Sequence, residues 1–357
     1  MKEVHNFSAG PAILPQQAID ASIEALREFK NMGLSLVEIS HRSAQWEETM
    51  QAAVNLVREL LKVPDDYSIL FLQGGASTQF CMVPYNLLSE NGTAAYVKTG
   101  TWAKKAIKEA QLFGNVQVLG SSEDKNFSYI PKDFSIPGDA DYFHCTSNNT
   151  IFGTQMKEFP DSPIPMVCDM SSDIFSRPVD VSKFGIIYAG AQKNMGPAGT
   201  TLVIIKNELF GKSGRKIPSM LDYKIHAEND SMFNTCPVFP IYLSFETLKW
   251  LKGEGGVEGI AERNKRKAEK LYKEIDDNPM FVGTAAKEDR SYMNICFLLK
   301  DDSLNNEFMK AAKEANISGI KGHRSVGGFR ASTYNALPEK SVDVLIGIMK
   351  EFANKHA

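Results

Sequence analysis

The chain has 357 residues, of which 43% are hydrophobic and 23% charged, and its formal net charge is -3. This composition is ordinary for a globular protein and excludes the disordered and strongly basic nucleic-acid-binding classes. No apolar run reaches the length of a membrane span and the N-terminus lacks a signal peptide, so a cytoplasmic protein without membrane partners is expected. The five cysteines have no CxxC spacing, which argues against a disulfide framework or a metal site.

The first part of the chain alternates predicted helices and strands. After the turn-rich segment FSAGPAILP, apolar spacing predicts helices over 16–30 and 44–62, with a short strand, LVEISHRS, between them. A strand at 67–72 is followed by QGGASTQF and a helix over 78–88. Two glycines before a helix can present free backbone N–H groups to a phosphate, although a plain strand-to-helix turn has the same pattern.

The middle of the chain predicts further strands, at 93–98, 116–119, 141–145, 165–168, 186–188 and 201–205. Strands that alternate with helices favour a mostly parallel, doubly wound α/β sheet, whose sites lie at the carboxyl ends of the strands. The dinucleotide-binding fingerprint is not matched, because GEGGVEG at 253–259 follows a helix and marks its end.

Asp169 and Lys193 each follow one of these apolar strands. A lysine between two core strands would be poorly solvated, which favours the neutral amine that attacks an aldehyde. An amine and a carboxylate at neighbouring strand ends form the pair that pyridoxal phosphate requires, one for its aldehyde and one for its ring nitrogen. The alternatives are a turn-capping aspartate before two serines and a lysine whose amine reaches the surface.

The last part of the chain predicts a smaller domain. A long irregular loop over 212–237 precedes helices over 239–252 and 256–278. The second helix contains the charged run AERNKRKAEKLYKEI, which we interpret as a solvated face beside an apolar stripe. A small α/β domain follows, with strands at 292–300, 317–321 and 329–333 and helices at 304–315 and 341–355. The predicted domains are 16–255 and, for the smaller one, 1–15 with 256–357.

The segment GHRSVGGFRAS contains His323, Arg324 and Arg330 among three glycines. Guanidinium groups match the oxygens of carboxylates and phosphates, so this segment predicts an anion site.

Five blocks of the sequence, FSAGPAILP, SRPVDVS, YAGAQKNMGPAG, SMFNTCP and KGHRSVGGFRAS, together resemble the phosphoserine aminotransferases, class-V enzymes that depend on pyridoxal phosphate. The resemblance implies a fold-type I enzyme whose Lys193 binds the aldehyde of pyridoxal 5'-phosphate. Asp169 would contact the ring nitrogen, and Trp102 would stack on the ring. Further cofactor contacts implied by the resemblance are Ala76, Ser77, Thr150, Gln192, Asn234 and Thr235.

The resemblance also implies a homodimer with shared active sites, because Asn234 and Thr235 would reach the neighbouring subunit's cofactor phosphate. Arg330 would bind the α-carboxylate of the substrate. The acidic end of the substrate would be bound by His41, Arg42, His323 and Arg324. From local sequence alone, His41 and Arg42 are more typical of a solvated loop. Many members of the family have an arginine in place of Ser77, which also contacts the substrate phosphate.

The implied activity exchanges an amino group between glutamate and 3-phosphohydroxypyruvate by a ping-pong reaction, giving phosphoserine and 2-oxoglutarate in serine biosynthesis. Two alternatives are a fold-type I aminotransferase of the alanine or serine–glyoxylate type and a non-catalytic relative that retains the fold. The anion-binding segment argues against the first, and an intact Lys193 with Asp169 argues against the second.

Overall fold

Helices and strands alternate along a computed structural model that describes residues 3–356. The helices are α1 (Gln16–Arg27), α2 (Ala44–Leu61), α3 (Gly75–Leu87), α4 (Thr101–Ala110), α5 (Tyr223–Glu228), α6 (Val238–Gly253), α7 (Gly256–Asp277), α8 (Asn305–Glu314) and α9 (Glu339–Lys355). The strands are β1 (His5–Asn6), β2 (Tyr67–Leu72), β3 (Thr93–Lys98), β4 (Asn115–Ser121), β5 (Tyr142–Thr146), β6 (Asn148–Asn149), β7 (Thr154–Gln155), β8 (Met166–Asp169), β9 (Ile186–Gly190), β10 (Thr201–Lys206), β11 (Phe281–Gly283), β12 (Asn294–Leu299), β13 (Ile317–Ser318) and β14 (Phe329–Ser332).

A seven-stranded sheet in the order β2-β10-β9-β8-β5-β3-β4 forms the centre of the larger layer. Strands β9, β8, β5, β3 and β4 run parallel to one another, whereas β10 runs antiparallel to both β9 and β2. Strands β5, β8 and β9 are buried throughout, as expected for parallel strands covered on both faces. The predicted mostly parallel, doubly wound α/β sheet is therefore confirmed.

Helices cover both faces of this sheet. One face packs in a core that includes Trp46 of α2 and Phe143 of β5, and the other in a core that includes Phe80 of α3 and Tyr188 of β9. This arrangement directs the carboxyl ends of β5, β8 and β9 toward one edge of the sheet, where catalytic sites of doubly wound folds lie.

The C-terminal residues build a second, antiparallel sheet in the order β11-β12-β14. Its core contains Leu271 of α7, Phe308 of α8 and Phe352 of α9. The N-terminal segment contacts this layer, because β1 pairs in parallel with β13 and Phe7 lies in the same core. Ala12 N–H then donates to the carbonyl of Gln192 at 3.0 Å, so the same segment also reaches the larger layer beside Lys193.

The predicted strand LVEISHRS is wrong, because this segment forms turns. Its buried residues, Leu36 and Ile39, are three positions apart, which does not fit the alternation of a strand. Glu38 closes the turn by accepting from Ser35 N–H at 2.9 Å. Val37 is left 61% exposed.

The charged run in α7 is also only partly solvated. Lys267 and Asn264 are 0% and 1% exposed, because they lie on the same stripe as Ile260 and Leu271. The interpretation of this whole run as a solvated face is therefore wrong for Lys267. Among residues 3–356, no helix is both long and apolar enough to cross a membrane.

Candidate active site

A cavity of about 400 Å³ lies at the carboxyl ends of β5, β8 and β9, a volume within the range of small-molecule sites. It is closed on one side by Ala9 and Gly10 of the N-terminal segment and on another by residues of the C-terminal layer. The predicted site residues that line it are Ala76, Ser77, Trp102, Thr150, Asp169, Gln192, Lys193, His323 and Arg330. Residues about 250 positions apart in the chain therefore meet in one space.

Lys193 lies in the turn after β9, which is closed by a hydrogen bond from Gly196 N–H to the Ala191 carbonyl at 2.8 Å. Its amine donates to Thr150 Oγ1 at 2.9 Å. The side chain is half-buried because one side faces the cavity, while protein encloses the remaining sides. Burial lowers the pKa of Lys193 to about 8, with Asp169 opposing the shift and Arg330 adding to it. About a tenth of the amine is thus uncharged near neutral pH, far more than for an ordinary lysine.

Gly10 is required where the N-terminal segment passes this lysine. Its φ of +129° favours glycine, and a Cβ built at this position would lie 3.2 Å from Lys193 Cγ. The glycine therefore lets backbone form the wall of the cavity beside the reactive side chain.

Asp169 is the last residue of β8 and is 5% exposed. Its Oδ1 accepts from Ser171 N–H at 2.9 Å, as a turn-capping aspartate does. The same residue also lines the cavity, so the two alternatives do not exclude each other. Burial raises the pKa of Asp169, while the hydrogen bonds from Ser171 and the charge of Lys193 act in the opposite direction. A cationic group in the cavity would relieve that burial cost.

The start of α3 lines the cavity with a glycine-rich turn. Gly74, at φ +90°, precedes the helix, and a Cβ there would overlap Thr78, so only glycine fits. Gly75, Ala76 and Ser77 line the cavity in the first turn, where backbone N–H groups have no partner within the helix. This helix start, three residues earlier than predicted, presents backbone N–H groups that can bind an anion.

Three side chains in the cavity wall have buried polar atoms without partners. These are Trp102 Nε1, Thr146 Oγ1 and Arg330 Nε. The Arg330 side chain is held in place because its Nη1 donates to the Thr150 carbonyl at 3.0 Å. Buried polar atoms normally have partners, so these three indicate a polar ligand.

The donor set fits pyridoxal phosphate. An amine, a buried carboxylate, a helix N-terminus and an aromatic side chain surround one cavity, and each matches a different part of that molecule: aldehyde, ring nitrogen, phosphate and ring face. Arg330 and His323 line the cavity on the side of the C-terminal layer, where they can contact a substrate.

Five predicted site residues do not line this cavity within one chain: His41, Arg42, Asn234, Thr235 and Arg324. Arg42 donates to the Met232 carbonyl at 3.3 Å, and Asn234 Nδ2 donates to Gln73 Oε1 at 3.2 Å. Asn234 lines a neighbouring cavity together with Gly74 and Thr78. The loops that carry Arg42 and Asn234 thus contact each other beside the start of α3.

Some residues of the site were not predicted from the sequence. Thr146, Asn148 and Ser172 line the cavity because they flank the ends of β5 and β8. Asp173 is a second buried carboxylate near Asp169; it accepts from Ser147 Oγ and from Gln155 Nε2, the latter at 3.0 Å. Ser147 in turn donates through N–H to the Asp169 carbonyl at 3.0 Å. The only sequence signal is that these polar residues directly follow apolar strands.

Comparisons with known proteins agree with this geometry. The sequence model of the aminotransferase class-V family matches residues 4–345. A phosphoserine aminotransferase from Flavobacterium psychrophilum is 60% identical, covering 98% of this chain and 99% of that protein, and one from Bacteroides fragilis is 58% identical, covering 99% of each.

Solved structures of similar proteins have the same fold. Phosphoserine aminotransferase from Bacillus circulans subsp. alkalophilus superposes with a TM-score of 0.97 at 44% identity over 100% of both chains. A pyridoxal-phosphate-bound phosphoserine aminotransferase from Trichomonas vaginalis has a TM-score of 0.92 at 38% identity, covering 98% of this chain and 100% of that one. The predicted fold-type I architecture and the predicted resemblance are confirmed, and the chain belongs to the aminotransferase class-V family.

Proposed function

We propose that the protein is a pyridoxal-phosphate-dependent aminotransferase that exchanges an amino group between glutamate and 3-phosphohydroxypyruvate, giving phosphoserine and 2-oxoglutarate. One observation carries the proposal: Lys193, Asp169, the start of α3 and Arg330 surround a single cavity. The names and full-length coverage of the similar proteins support the same activity.

Pyridoxal phosphate, when bound, supplies an aldehyde that accepts an amino group and a ring that takes up the electrons of a broken Cα–H bond. Lys193 would hold the cofactor through its aldehyde carbon, and the same amine would carry a proton to or from the substrate Cα. Its pKa of about 8 lets Nζ both give and take a proton near neutral pH. Thr150 orients that nitrogen through its hydroxyl.

Asp169 keeps a proton on the ring nitrogen, because a buried carboxylate is stabilised by a cation beside it. Trp102 fixes the plane of the ring, and backbone N–H groups of Ala76 and Ser77 bind the phosphate. Gln192 lies on the same wall as Lys193.

Arg330 binds the α-carboxylate of either amino acid, since a guanidinium matches two carboxylate oxygens. His323 and Arg324, with His41 and Arg42, bind the other acidic end. A cationic cluster accepts a carboxylate or a phosphate at this end, which a single site needs in order to use both glutamate and phosphoserine. Because this chain has Ser77 in place of the family's frequent arginine, these side chains supply the cationic contacts.

We further propose a homodimer in which Asn234 and Thr235 bind the partner's cofactor phosphate. The adjacent loops at 33–43 and 229–237 expose apolar side chains, with Val37 61% and Phe233 38% exposed. Large exposed apolar side chains clustered on contacting loops are typical of an interface. We also propose a cytoplasmic location, where free thiols such as the five cysteines persist.

The activity is tested by following the absorbance of the bound cofactor. Glutamate should remove the long-wavelength band, and 3-phosphohydroxypyruvate should restore it. A protein that does not respond to glutamate, or whose band glyoxylate or pyruvate restores equally fast, would contradict the proposal.

The shared site is tested by mixing two inactive variants, Lys193→Ala and the double variant Asn234→Ala, Thr235→Ala. Each mixed dimer would contain one intact site, so mixing should restore activity. Activity that stays at the level of the separate variants after proven subunit exchange would contradict shared sites.

A further inference from the structure

Three buried asparagines contact the turn that follows Asp169. This turn spans residues 170–176, and the carbonyls of residues 174–176 each accept a hydrogen bond from a different asparagine side chain. In chain order of the carbonyls, the donors are Asn194, Asn335 and Asn264, at 3.1, 2.9 and 3.2 Å. All three asparagines are at most 5% exposed. Buried side-chain amides therefore satisfy backbone carbonyls that lie outside the helices and strands.

The turn has a backbone shape that is unfavourable on its own. Phe175 is buried at a φ of +57°, in the left-handed region that a bulky side chain rarely adopts. The Phe175 carbonyl is the one that accepts from Asn335 Nδ2. A conformation of this kind persists only where surrounding contacts impose it, and such positions are concentrated at functional sites. The shape of the turn is therefore maintained by contacts from other segments, one of which contains Asn335.

Asn194 connects this turn with the catalytic lysine, because it directly follows Lys193 in the chain. While its Nδ2 donates to the turn, its Oδ1 accepts from the Asn335 N–H at 2.9 Å. A second hydrogen bond joins the turn to the end of β9, where the Gly190 N–H donates to Ser171 Oγ at 3.1 Å. The segment before Lys193 and the residue after it are thus both fixed to the turn.

Asn335 brings the substrate side of the cavity into the same set of contacts. It lies five residues after Arg330, in the segment that follows β14. The residue before it, Tyr334, donates from its hydroxyl to the Ala9 carbonyl at 2.8 Å, and Ala9 lines the cavity. The segment after Arg330 is therefore held against both Asn194 and the N-terminal wall of the cavity.

We propose that Asn194 and Asn335 form a positioning bridge, a role that rests on the aminotransferase function proposed above. The bridge fixes the three groups that act on one substrate: Arg330 for the α-carboxylate, Asp169 for the ring nitrogen and Lys193 for the proton. The first two groups place the substrate Cα, and the proton is transferred only if Lys193 Nζ lies within hydrogen-bond reach of it. A displacement of about 1 Å can lower such a rate by about 100-fold.

The test compares Asn194→Leu with Asn264→Leu in the cofactor-loaded protein. Leucine has the branching of asparagine and no polar atom. Asn264 is the matched control because it also donates twice, to the Ser176 carbonyl and to Asn335 Oδ1, and both of these hydrogen bonds bypass Asn194. The measurement is the rate constant with which glutamate removes the long-wavelength band of the bound cofactor.

This rate constant should be roughly 100-fold lower in Asn194→Leu than in the wild type, and the half-saturating glutamate concentration should change by less than about threefold. Binding changes little because glutamate keeps its contacts with Arg330. Asn264→Leu should react within about threefold of the wild-type rate. A loss of folded protein lowers the amplitude of the absorbance change and not its rate constant, so equal rate constants for the two variants would overturn the proposal.

Hydrogen–deuterium exchange gives a readout that does not depend on the reaction. The Asn335 N–H should exchange at least about tenfold faster in Asn194→Leu and at the wild-type rate in Asn264→Leu, because only the first variant loses its acceptor. Unchanged protection of this amide in Asn194→Leu would contradict the bridge.

A second variant covers the case in which Asn194→Leu does not fold. Asn194→Ser introduces a single hydroxyl that is too short to reach both partners, and the same slow reaction and fast exchange are expected. A wild type that does not react with glutamate would contradict the proposed function instead. The rate comparison would then use the amino acid that does react, and equal rate constants would again overturn the bridge.

Discussion

Lys193 and Lys267 are both enclosed lysines, but they face different surroundings. Lys267 Nζ donates to the carbonyl oxygens of Thr333, Tyr334 and Leu337 at 3.0, 2.8 and 3.2 Å, so all three of its hydrogens have acceptors. Lys193 has one hydroxyl partner and faces a cavity. The first amine is saturated by backbone carbonyls, and the second has free hydrogen-bonding capacity toward the cavity.

This comparison separates the effect of burial on the pKa of a lysine from its effect on the space around the amine. Burial lowers the pKa of both lysines, and for Lys267 the positive charge of Arg263 adds to the effect while Glu339 opposes it. A lowered pKa alone therefore does not make a catalytic amine. Reactivity also needs room for an electrophile, which Lys193 has and Lys267 lacks. Four variants test this distinction.

The largest effect is expected for Lys193→Ala. Turnover should fall by at least about 10⁴-fold, since both the covalent anchor and the proton carrier are lost. The bound cofactor should also lose its long-wavelength band, while the melting temperature of the cofactor-free protein stays within a few degrees. The exposed variant Lys252→Ala is the control, and an active Lys193→Ala protein would contradict the assignment.

Lys267→Met should lower the stability of the protein and leave cofactor binding intact, the opposite of what is expected for Lys193→Ala. Three buried carbonyls would lose their donor, so we expect the free energy of unfolding to fall by about 3–5 kcal/mol and the melting temperature by roughly 10 °C. The absorbance of the bound cofactor per folded molecule should be unchanged.

Lys270→Met is a matched control for this variant, because Lys270 lies on the same helix in an exposed ion pair with Asp343 and should contribute less than about 1 kcal/mol. A Lys267→Met protein as stable as this control would show that the carbonyl contacts contribute little.

The pH dependence of stability should distinguish Lys193 from a neutral side chain. Its folded-state pKa, about 8, lies below the ordinary 10.5, so the unfolded chain binds more protons between these values. The stability of the cofactor-free wild type, relative to Lys193→Met, should therefore rise by about 1–3 kcal/mol from pH 8 to pH 10.5.

Denaturant unfolding of both proteins at several pH values measures this difference, and the contributions of other lysines cancel. A difference that is independent of pH would mean that Lys193 is not desolvated.

The smallest effect is expected for Thr150→Val, which removes the hydroxyl that accepts from Lys193. Loss of this hydrogen bond should cost about 1 kcal/mol and lower the pKa of Lys193 further, by less than about one unit. The pH profile of cofactor rebinding reports the change. Thr150→Ser retains a hydroxyl and should behave like the wild type; a Ser variant that shifts as far as the Val variant would assign the effect to packing instead.

The sequence predicts the central sheet and the proximity of Asp169 and Lys193 because both depend on local patterns. Apolar runs such as 201–205 are short and follow glycine-containing turns; Asp169 directly follows one such run, and Lys193 comes a few residues after another. The segment LVEIS fails because burial of Leu36 and Ile39 is decided by tertiary packing against neighbouring helices, which single-sequence alternation does not contain.

The residues that complete the site depend on contacts between distant segments. Thr146 and Asn148 reach the cavity through strand order, which the sequence does not specify. Lys267 is another case: its charge predicts exposure, yet it lies seven residues after Ile260 and four before Leu271, on the buried stripe. Helical position, with carbonyl acceptors from Thr333 to Leu337, overrides residue type here.

The pairing of the first strand with β13 has a consequence for how the chain folds during translation. The ribosome produces His5–Asn6 long before its partner strand, Ile317–Ser318. Until then the segment that walls Lys193 lacks its pairing with β13, so the cavity is enclosed on this side only after residue 318 has been made. A product that stops before residue 317 would also lack His323 and Arg330, which line the other side of the cavity.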